Sequence, residues 1–557
     1  MLESLRDVLD VSRAIVAPEW YDVTLRDGNQ ALRQPWGYDT KARILNLIYQ
    51  LGIRKAEIGF PGANDEEFQM VKKLVSSAPR DMTIGVLSAA TYPSIESAAE
   101  VLSFSGGAKR RLHAFLTMSP LHMQHVLHKE PLEVLDMAVS AVEHAVRCLH
   151  SYGGGGGFEV QFSPEHFGDS IDNLDWVIAS LLKVVEAGAT IINLPNTVER
   201  RRPALFAIMV KEVVLAMPAG VTVDVHCHND GGMATATTLA AIIDGGATGV
   251  EATLNGLGSR CGNADWFQVV LGLLQEGVEL SEINFGFFQE AALTVESCSS
   301  IAIPEKAPYF GEEAFVNREG IHQAGVERTR GMDMGAYRRI SPETIGRTGQ
   351  ERCEFTNQSG SVVLPALLHE GGELATREEA RELVGPLKEV ASQYQPLTVD
   401  ELVAIFQAYK KLQETKGDVS PADIVHKAGE IIGRMRGCHI WSFVKGDFHS
   451  STNGGSSGTA TITLSKGDQQ FIVAAVGDGP IDAAAKVIRQ ITSVDFQVTN
   501  FSAGSVSGDS DAQAKATLSV WIGIKPILGT GVDTNTDAAA ARAIVDGLNK
   551  HLAEKAE

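Results

Sequence analysis

The chain has 557 residues, of which 44% are hydrophobic and 21% charged, a globular composition that excludes intrinsic disorder and collagen-like repeats. At roughly 150 residues per domain it has room for about two to four domains. Forty-eight Lys and Arg against 69 Asp and Glu give a formal charge of −21, a field that repels phosphate backbones and anionic bilayers, so nucleic acid is set aside as a general partner.

Met1 to Val16 interleaves Glu3, Arg6, Asp7, Asp10 and Arg13 with apolar residues, which interrupts the apolar core a signal peptide needs and predicts a short amphipathic helix. No run of about 18 apolar residues occurs anywhere, so no membrane span is predicted. Between Trp20 and Leu254, short β-type runs alternate with helix-type stretches. The runs are Trp20–Leu25, Lys55–Gly59, Met82–Leu87, Leu112–Met118, Phe158–Phe162, Thr190–Pro195, Val221–Cys227 and Gly249–Leu254. Between them apolar residues recur at helical spacing, as in Thr40, Ile44, Leu47, Ile48 and Leu51, or Leu174, Val177, Ile178, Leu181, Leu182 and Val185.

A doubly wound open sheet gives the same alternation, but the polar residues favour a closed (β/α)8 TIM barrel. Arg26, Asp27, Glu165, Asn196, Thr197, His226, His228 and Asn255 all fall at or just past the C-terminal ends of runs, the catalytic face of such barrels, and His113 lies within the fourth run. From Phe285 to Arg436 the pattern changes to helices and loops, with charged stretches such as Thr376 to Glu389. Beyond Gly437 an internal repeat appears: Gly458–Ser465 followed by a Gly477-Asp-Gly-Pro turn, matched by Ala514–Val520 followed by a Gly529-Thr-Gly-Val turn. The expected organisation is an α/β catalytic barrel over 1–285, helical accessory subdomains over 286–436 and a C-terminal α+β regulatory repeat over 437–557. The Gly153–Gly157 run reads as a flexible loop.

The chemistry concentrates in three segments. His226-Cys227-His228 ends the seventh run, and in an extended strand the two imidazoles share a face while Cys227 takes the other. Arg26-Asp27 follows the first run, and barrel closure brings strands one, seven and eight together, so Asp27 can complete a two-histidine, one-carboxylate metal set with open positions. The eighth run leads into Asn255–Asn263, a glycine-rich loop in which Asn263 can add an oxygen ligand. Six cysteines, Cys148, Cys227, Cys261, Cys298, Cys353 and Cys438, form no C-x-x-C pair, which fits a reducing cytoplasm rather than a disulfide framework.

The Asp-Val-Thr-Leu-Arg-Asp-Gly-Asn-Gln, His-Cys-His-Asn-Asp and Gly-Ser-Arg-Cys-Gly-Asn segments resemble the metal-dependent barrel family of 2-isopropylmalate, citramalate and homocitrate synthases, nearest to the first of these. The likeness extends to Asn29–Leu32, Phe162–Glu165, Asn193–Glu199, Gly320–Gln323 and the terminal repeat, which is similar to that family's leucine-sensing domain. It implies a Claisen condensation of acetyl-CoA with a 2-oxo acid, followed by thioester hydrolysis to a 2-substituted malate. It further implies a divalent metal (Mg2+, Mn2+ or Zn2+) on Asp27, His226, His228 and Asn263, and Arg26 beside it to stabilise oxyanion charge. Glu165, His322 and Tyr337 become the proton-transfer candidates, and Leu87, His113, Ser163 and Thr197 the substrate-binding ones. A homodimer and an amino-acid effector are the partners it implies.

Several residues carry a second reading. Arg26 can simply bridge to a strand-end carboxylate, His322 can be a surface residue, and Leu87 and His113 can be an inward core leucine and a satisfied histidine. Lys109–Arg111 and Arg200–Arg202 read as solvated charge, or as receivers of an anionic substrate or the CoA phosphates. Ser259, Ala324 and Asn196 replace the residues usual in such enzymes, so citramalate, homocitrate and phosphonomethylmalate chemistry stay open. So do carbon–carbon lyase activity and a non-catalytic metabolite-binding role.

Overall fold

The computed structural model describes residues 15–152, 157–332, 335–347, 351–416, 419–436, 441–451, 457–466, 469–505, 514–522 and 525–554. The N-terminal helix expected over Met1 to Val16, most of the Gly153–Gly157 run and Cys438 lie outside them. Two compact units emerge, one of residues 1–316 with 331–352, the other of residues 317–330 with 353–557.

In the first unit eight parallel strands close into a barrel: β1 (Glu19–Asp22), β2 (Lys55–Glu57), β3 (Thr83–Ala89), β4 (Lys109–Thr117), β5 (Phe158–Glu165), β6 (Ile191–Asn196), β7 (Thr222–Cys227) and β8 (Gly249–Ala252). Closure runs through β1 and β8, with Glu19 opposite Gly249 and Asp22 opposite Ala252. Between and after the strands come α1 (Tyr38–Gln50), α2 (Asp65–Ser77), α3 (Tyr92–Leu102), α4 (Pro131–Ser151), α5 (Leu174–Glu186), α6 (Pro203–Ala216), α7 (Ala234–Ile243) and α8 (Trp266–Gln275), then α9 (Phe288–Ser299). Each buries the face its apolar spacing marks; in α1, Ile44, Leu47 and Ile48 are buried, and Leu51 just past it. The start of α2 is fixed by Asn64, whose Oδ1 accepts the Glu67 N–H at 2.9 Å, a cap worth about 1 kcal/mol.

Of the boundaries that differ from the sequence reading, three change how the barrel's ends are built. The first strand stops at Asp22 because its carboxylate accepts the Thr24 N–H and hydroxyl, both at 2.9 Å, and turns the chain into a wide helical turn, Thr24–Gly28, that carries Arg26 and Asp27. The eighth stops at Ala252, and Leu254–Gly256 forms a 3₁₀ turn. The fourth begins at Lys109, so Arg110 and Arg111 are buried strand residues, not solvated charge. The Arg111 guanidinium sits 2.8 Å from Glu159 and 3.5 Å from Asp224, stacked 4.2 Å over the Tyr21 ring. That cluster fills the N-terminal half of the barrel. Gly85 makes room for it, since a Cβ there would lie 1.7 Å from the Tyr21 hydroxyl oxygen.

The second unit holds α10 (Gly320–Arg328), α11 (Leu364–Glu370), α12 (Arg377–Tyr394), α13 (Val399–Lys416) and α14 (Pro421–Arg436) around Phe355, Leu383, Phe406 and Ile432. A capping box of Thr376 and Glu379 starts α12, which carries the charged stretch seen in the sequence. The repeat then appears as two copies of three antiparallel strands followed by a helix. The first is β9 (Ser442–Ser451), β10 (Ser457–Lys466), β11 (Gln469–Gly477) and α15 (Pro480–Thr492); the second is β12 (Gln497–Ser505), β13 (Ala514–Ile522), β14 (Lys525–Asp533) and α16 (Thr536–Glu554). Gly477-Asp-Gly-Pro does join strand to helix. Gly529-Thr-Gly-Val is not a turn but the middle of β14. A Cβ at Gly529 or Gly531 would lie 2.0 or 2.2 Å from the Ala543 or Ala539 carbonyl oxygen, so these glycines let α16 press onto the strand.

Candidate active site

At the C-terminal mouth of the barrel, His226 and His228 extend from the end of β7 with their Nε2 atoms 3.2 Å apart. Cys227, between them, points into the apolar wall, where burial pushes its thiol up to about 12. Asp27 arrives from the helical turn after β1. One ligand atom from each of Asp27, His226 and His228 falls within 4.8 Å of the others.

Asn263 is delivered by backbone pairing. The Asn229 N–H donates to Gly262 O at 2.9 Å and the Ala264 N–H to Cys227 O at 2.8 Å, so the loop after β8 zips onto the end of β7. Gly262 has φ +95°, and a Cβ on it would lie 2.2 Å from Gly256 O; one on Gly258 would lie 2.5 Å from the Asn263 amide nitrogen. Only glycine permits that loop. Asn263 Nδ2 donates to Asp27 Oδ2 at 2.5 Å and to Leu257 O at 3.0 Å, which leaves its buried Oδ1 without a partner.

Burial by itself would raise the Asp27 carboxyl, but Arg26, both histidines and the Asn263 amide outweigh it and hold it at about 2. Burial and His226 together push His228 down to about 3. A carboxylate facing the two imidazoles, with the Nδ1 of His228 and the Oδ1 of Asn263 unsatisfied, is a donor set that fits a divalent cation.

Beneath this set lies a network the sequence reading missed. Arg26 Nε donates to Glu57, its Nη1 to Asp27 Oδ1 at 2.7 Å, and its Nη2 stands 4.0 Å from Glu251. The salt bridge raised as a second reading of Arg26 is therefore present, and it fixes the guanidinium beside Asp27. Glu57 Oε1 also meets His113 Nδ1 at 2.7 Å; since a carboxylate only accepts, Nδ1 carries a proton, and Nε2 lies 2.7 Å from Ser163 Oγ. Asn193 Nδ2 donates to the same Ser163 Oγ at 2.8 Å. Glu251 lies 3.1 Å from His226 Nδ1 and accepts from Gln161. The available signal was the single carboxylate inside each of two short β-type runs, Lys55–Gly59 and Gly249–Leu254.

Glu165 closes β5, three residues beyond the end of the predicted run, opposite Thr117. Burial raises its pKa against the opposing pull of His166 and Arg26. Thr197 Oγ1 accepts the His166 N–H at 3.0 Å, and Leu87 is buried on β3. Arg201 donates to Gly168 O at 2.8 Å, while Arg200 is about half exposed, with its Nε 3.6 Å from Asp169. Arg260 binds Asp230 at 2.7 and 2.9 Å and also donates to Thr197 O, tying together the loops after β6, β7 and β8. Tyr337 is exposed in the segment that clusters with the barrel. His322 belongs to the second unit, on α10, where its Nδ1 is 3.2 Å from Glu319.

Residues 17–295 match the HMGL-like family, and residues 418–552 match the LeuA allosteric (dimerisation) domain. The chain is 42% identical to 2-isopropylmalate synthase 2 of Leptospira interrogans over 69% of its own length and 88% of that protein. It is 32% identical to 2-isopropylmalate synthase of Heliobacterium modesticaldum over 95% and 96% of the two chains. The chain belongs to the 2-isopropylmalate synthase family. It is an enzyme of that family, built on a TIM barrel and carrying a LeuA-type allosteric domain. The crystal structure of hydroxymethylglutaryl-CoA lyase from Pseudomonas aeruginosa is 18% identical with a TM-score of 0.42, covering 51% of this chain and 93% of that one. Among the described residues no helix is long and apolar enough to cross a membrane, and Cys148, Cys227, Cys261, Cys298 and Cys353 are free thiols.

Proposed function

We propose that the chain condenses acetyl-CoA with a 2-oxo acid and hydrolyses the thioester, with 2-oxoisovalerate and 2-isopropylmalate as the substrate and product that its relatives' names favour. The observation that carries this reading is the buried Asp27, His226 and His228 set at the barrel mouth, with the unsatisfied Oδ1 of Asn263 beside it. A divalent cation held there supplies Lewis acidity to a 2-oxo acid carbonyl. Arg26, oriented by Glu57 and Asp27, adds a fixed donor for the charge that develops on that oxygen.

Glu165 takes the methyl proton of acetyl-CoA: its raised pKa brings it nearer neutrality, which improves a general base. His322 and Tyr337 complete the proton relay and the hydrolysis. Ser163, Thr197, His113 and Leu87 shape the 2-oxo acid pocket; Ser163, held by His113 and Asn193, is the hydroxyl best fixed to meet its carboxylate. The repeat domain pairs two chains as a homodimer and receives an amino-acid effector of the leucine type, and the free thiols are in keeping with a cytoplasmic enzyme.

The test is to incubate the enzyme with acetyl-CoA, Mg2+ or Mn2+ and a panel of branched, straight, dicarboxylic and phosphono 2-oxo acids while following free thiol. Release that depends on the branched acid supports the reading. Dependence on another acid reassigns the substrate, and acid-independent release or none removes the synthase.

A further inference from the structure

A second group of metal-ligating side chains lies on the same face of the barrel. His122 sits in the short turn Pro120–His122 after β4, and His166 and Asp169 follow β5. One ligand atom of each falls within 4.8 Å of the others, as in the Asp27 set. The two imidazole rings stack with centroids 3.6 Å apart, and His166 Nδ1 stands 3.3 Å from Asp169 Oδ2. Ser119 Oγ meets His122 Nδ1 at 2.8 Å, which leaves Nε2 of that ring to serve as a ligand.

Bond lengths of about 2.0–2.1 Å to zinc set two ligands of a tetrahedral ion roughly 3.3 Å apart. His166 and Asp169 already have that separation, and a ligand atom of His122 lies within 4.8 Å of both, so binding requires the His122 ring to leave the stack and turn its lone pair toward them. His166 also adopts a left-handed backbone, φ 60° and ψ 31°, which costs a non-glycine residue about 1–2 kcal/mol. Such an outlier beside a functional carboxylate is a reason to look for a role. Arg200, whose Nε lies 3.6 Å from Asp169 Oδ1, is about half exposed and can swing away as a cation enters.

We propose that His122, His166 and Asp169 form a second divalent-metal site that takes imidazole-seeking ions such as Zn2+ or Co2+ in preference to Mg2+. Its occupation cross-links the loops after β4 and β5. Because His166 follows Glu165 directly and donates its N–H to Thr197, the ion restrains the backbone that carries the proposed base.

Equilibrium dialysis of the full chain against Co2+ with excess Mg2+ tests this. Wild type is expected to hold two Co2+ per chain, one for each group. The His226→Ala/His228→Ala variant should hold one, His122→Ala/Asp169→Asn should hold one, and the combination none. His166→Asn, which tolerates the left-handed backbone, should match the His122→Ala/Asp169→Asn pair and guards against a folding artefact. In the His226→Ala/His228→Ala background, Co2+ should slow amide exchange over residues 119–123 and 166–170.

A single ion in wild type that disappears with His226 and His228, or exchange unchanged by Co2+, overturns the second site and leaves the first standing. A single ion that survives their loss but disappears with His122 and Asp169 supports the second site and removes the first.

Discussion

Glu57→Gln is the substitution that probes the buried network most sharply. Glu57 holds Arg26 Nε on one oxygen and His113 Nδ1 on the other, and both it and Arg26 are buried. Glutamine preserves the shape and can still accept from Arg26. Its amide must then donate to His113 Nδ1, which forces the proton onto Nε2. His113 would then donate to Ser163 Oγ, already an acceptor for Asn193 at 2.8 Å, and the Nδ1 proton that Glu57 accepts in the wild type is lost.

Arg26 keeps Asp27 at 2.7 Å, with Glu251 at 4.0 Å. The loss should therefore sit at the low end for breaking a buried pair, about 3 kcal/mol, which lowers Tm by roughly 6 °C in a domain this large. If Arg26 donates to the developing oxyanion, its displacement should also lower kcat by about 10²–10³ with KM for the 2-oxo acid changed far less. Thermal unfolding and steady-state thiol release measure the two effects. A Glu57→Gln enzyme with wild-type Tm and kcat would refute the coupling between this network and catalysis.

Glu165→Gln is expected to reduce kcat by about 10²–10⁴ while leaving KM near its wild-type value, and a loss confined to KM would make Glu165 a binding residue. Burial raises the Glu165 pKa, so the acid limb of the wild-type kcat profile should fall at a pH above the ordinary glutamate value of about 4.3; a limb at or below it would count against Glu165 as the base. Burial, opposed by hydrogen bonds from Thr24, pushes Asp22 up to about 7, so the native state binds that proton more tightly than the unfolded chain does. Stability should therefore decline as pH rises from about 4 to 7 and level off above, and Asp22→Asn should flatten that slope in denaturant titrations. Gly529→Ala places a methyl group against the Ala543 carbonyl and should destabilise the repeat domain by about 1–3 kcal/mol, seen as earlier unfolding of that domain while the barrel's condensation persists without effector response.

Much of this architecture was legible because strand periodicity and the placement of polar residues are local signals. All eight barrel runs were found, and His226, His228 and Asp27 were grouped from alternation and barrel closure alone. What escaped was decided by contacts distant in sequence. Arg110 and Arg111 look like solvated charge until Glu159 and Asp224 are seen beside Arg111, and Glu57 and Glu251 look incidental until Arg26 lies between them. Gly529 and Gly531 suggested a turn by composition, whereas they are small because α16 crosses them. The end of β1 depended on one aspartate capturing its neighbour's N–H and hydroxyl, a competition that strand propensity does not express.

The most direct test of the central claim is the initial rate of 2-oxo-acid-dependent thiol release by chelator-stripped enzyme as Mg2+ is restored, measured beside His228→Ala. The account predicts no release without the ion, saturable recovery with it in wild type, and no recovery at any Mg2+ concentration in a His228→Ala protein that retains the wild-type circular dichroism spectrum. Equal rates in the two proteins, or full release from the stripped enzyme before any ion is added, would contradict it.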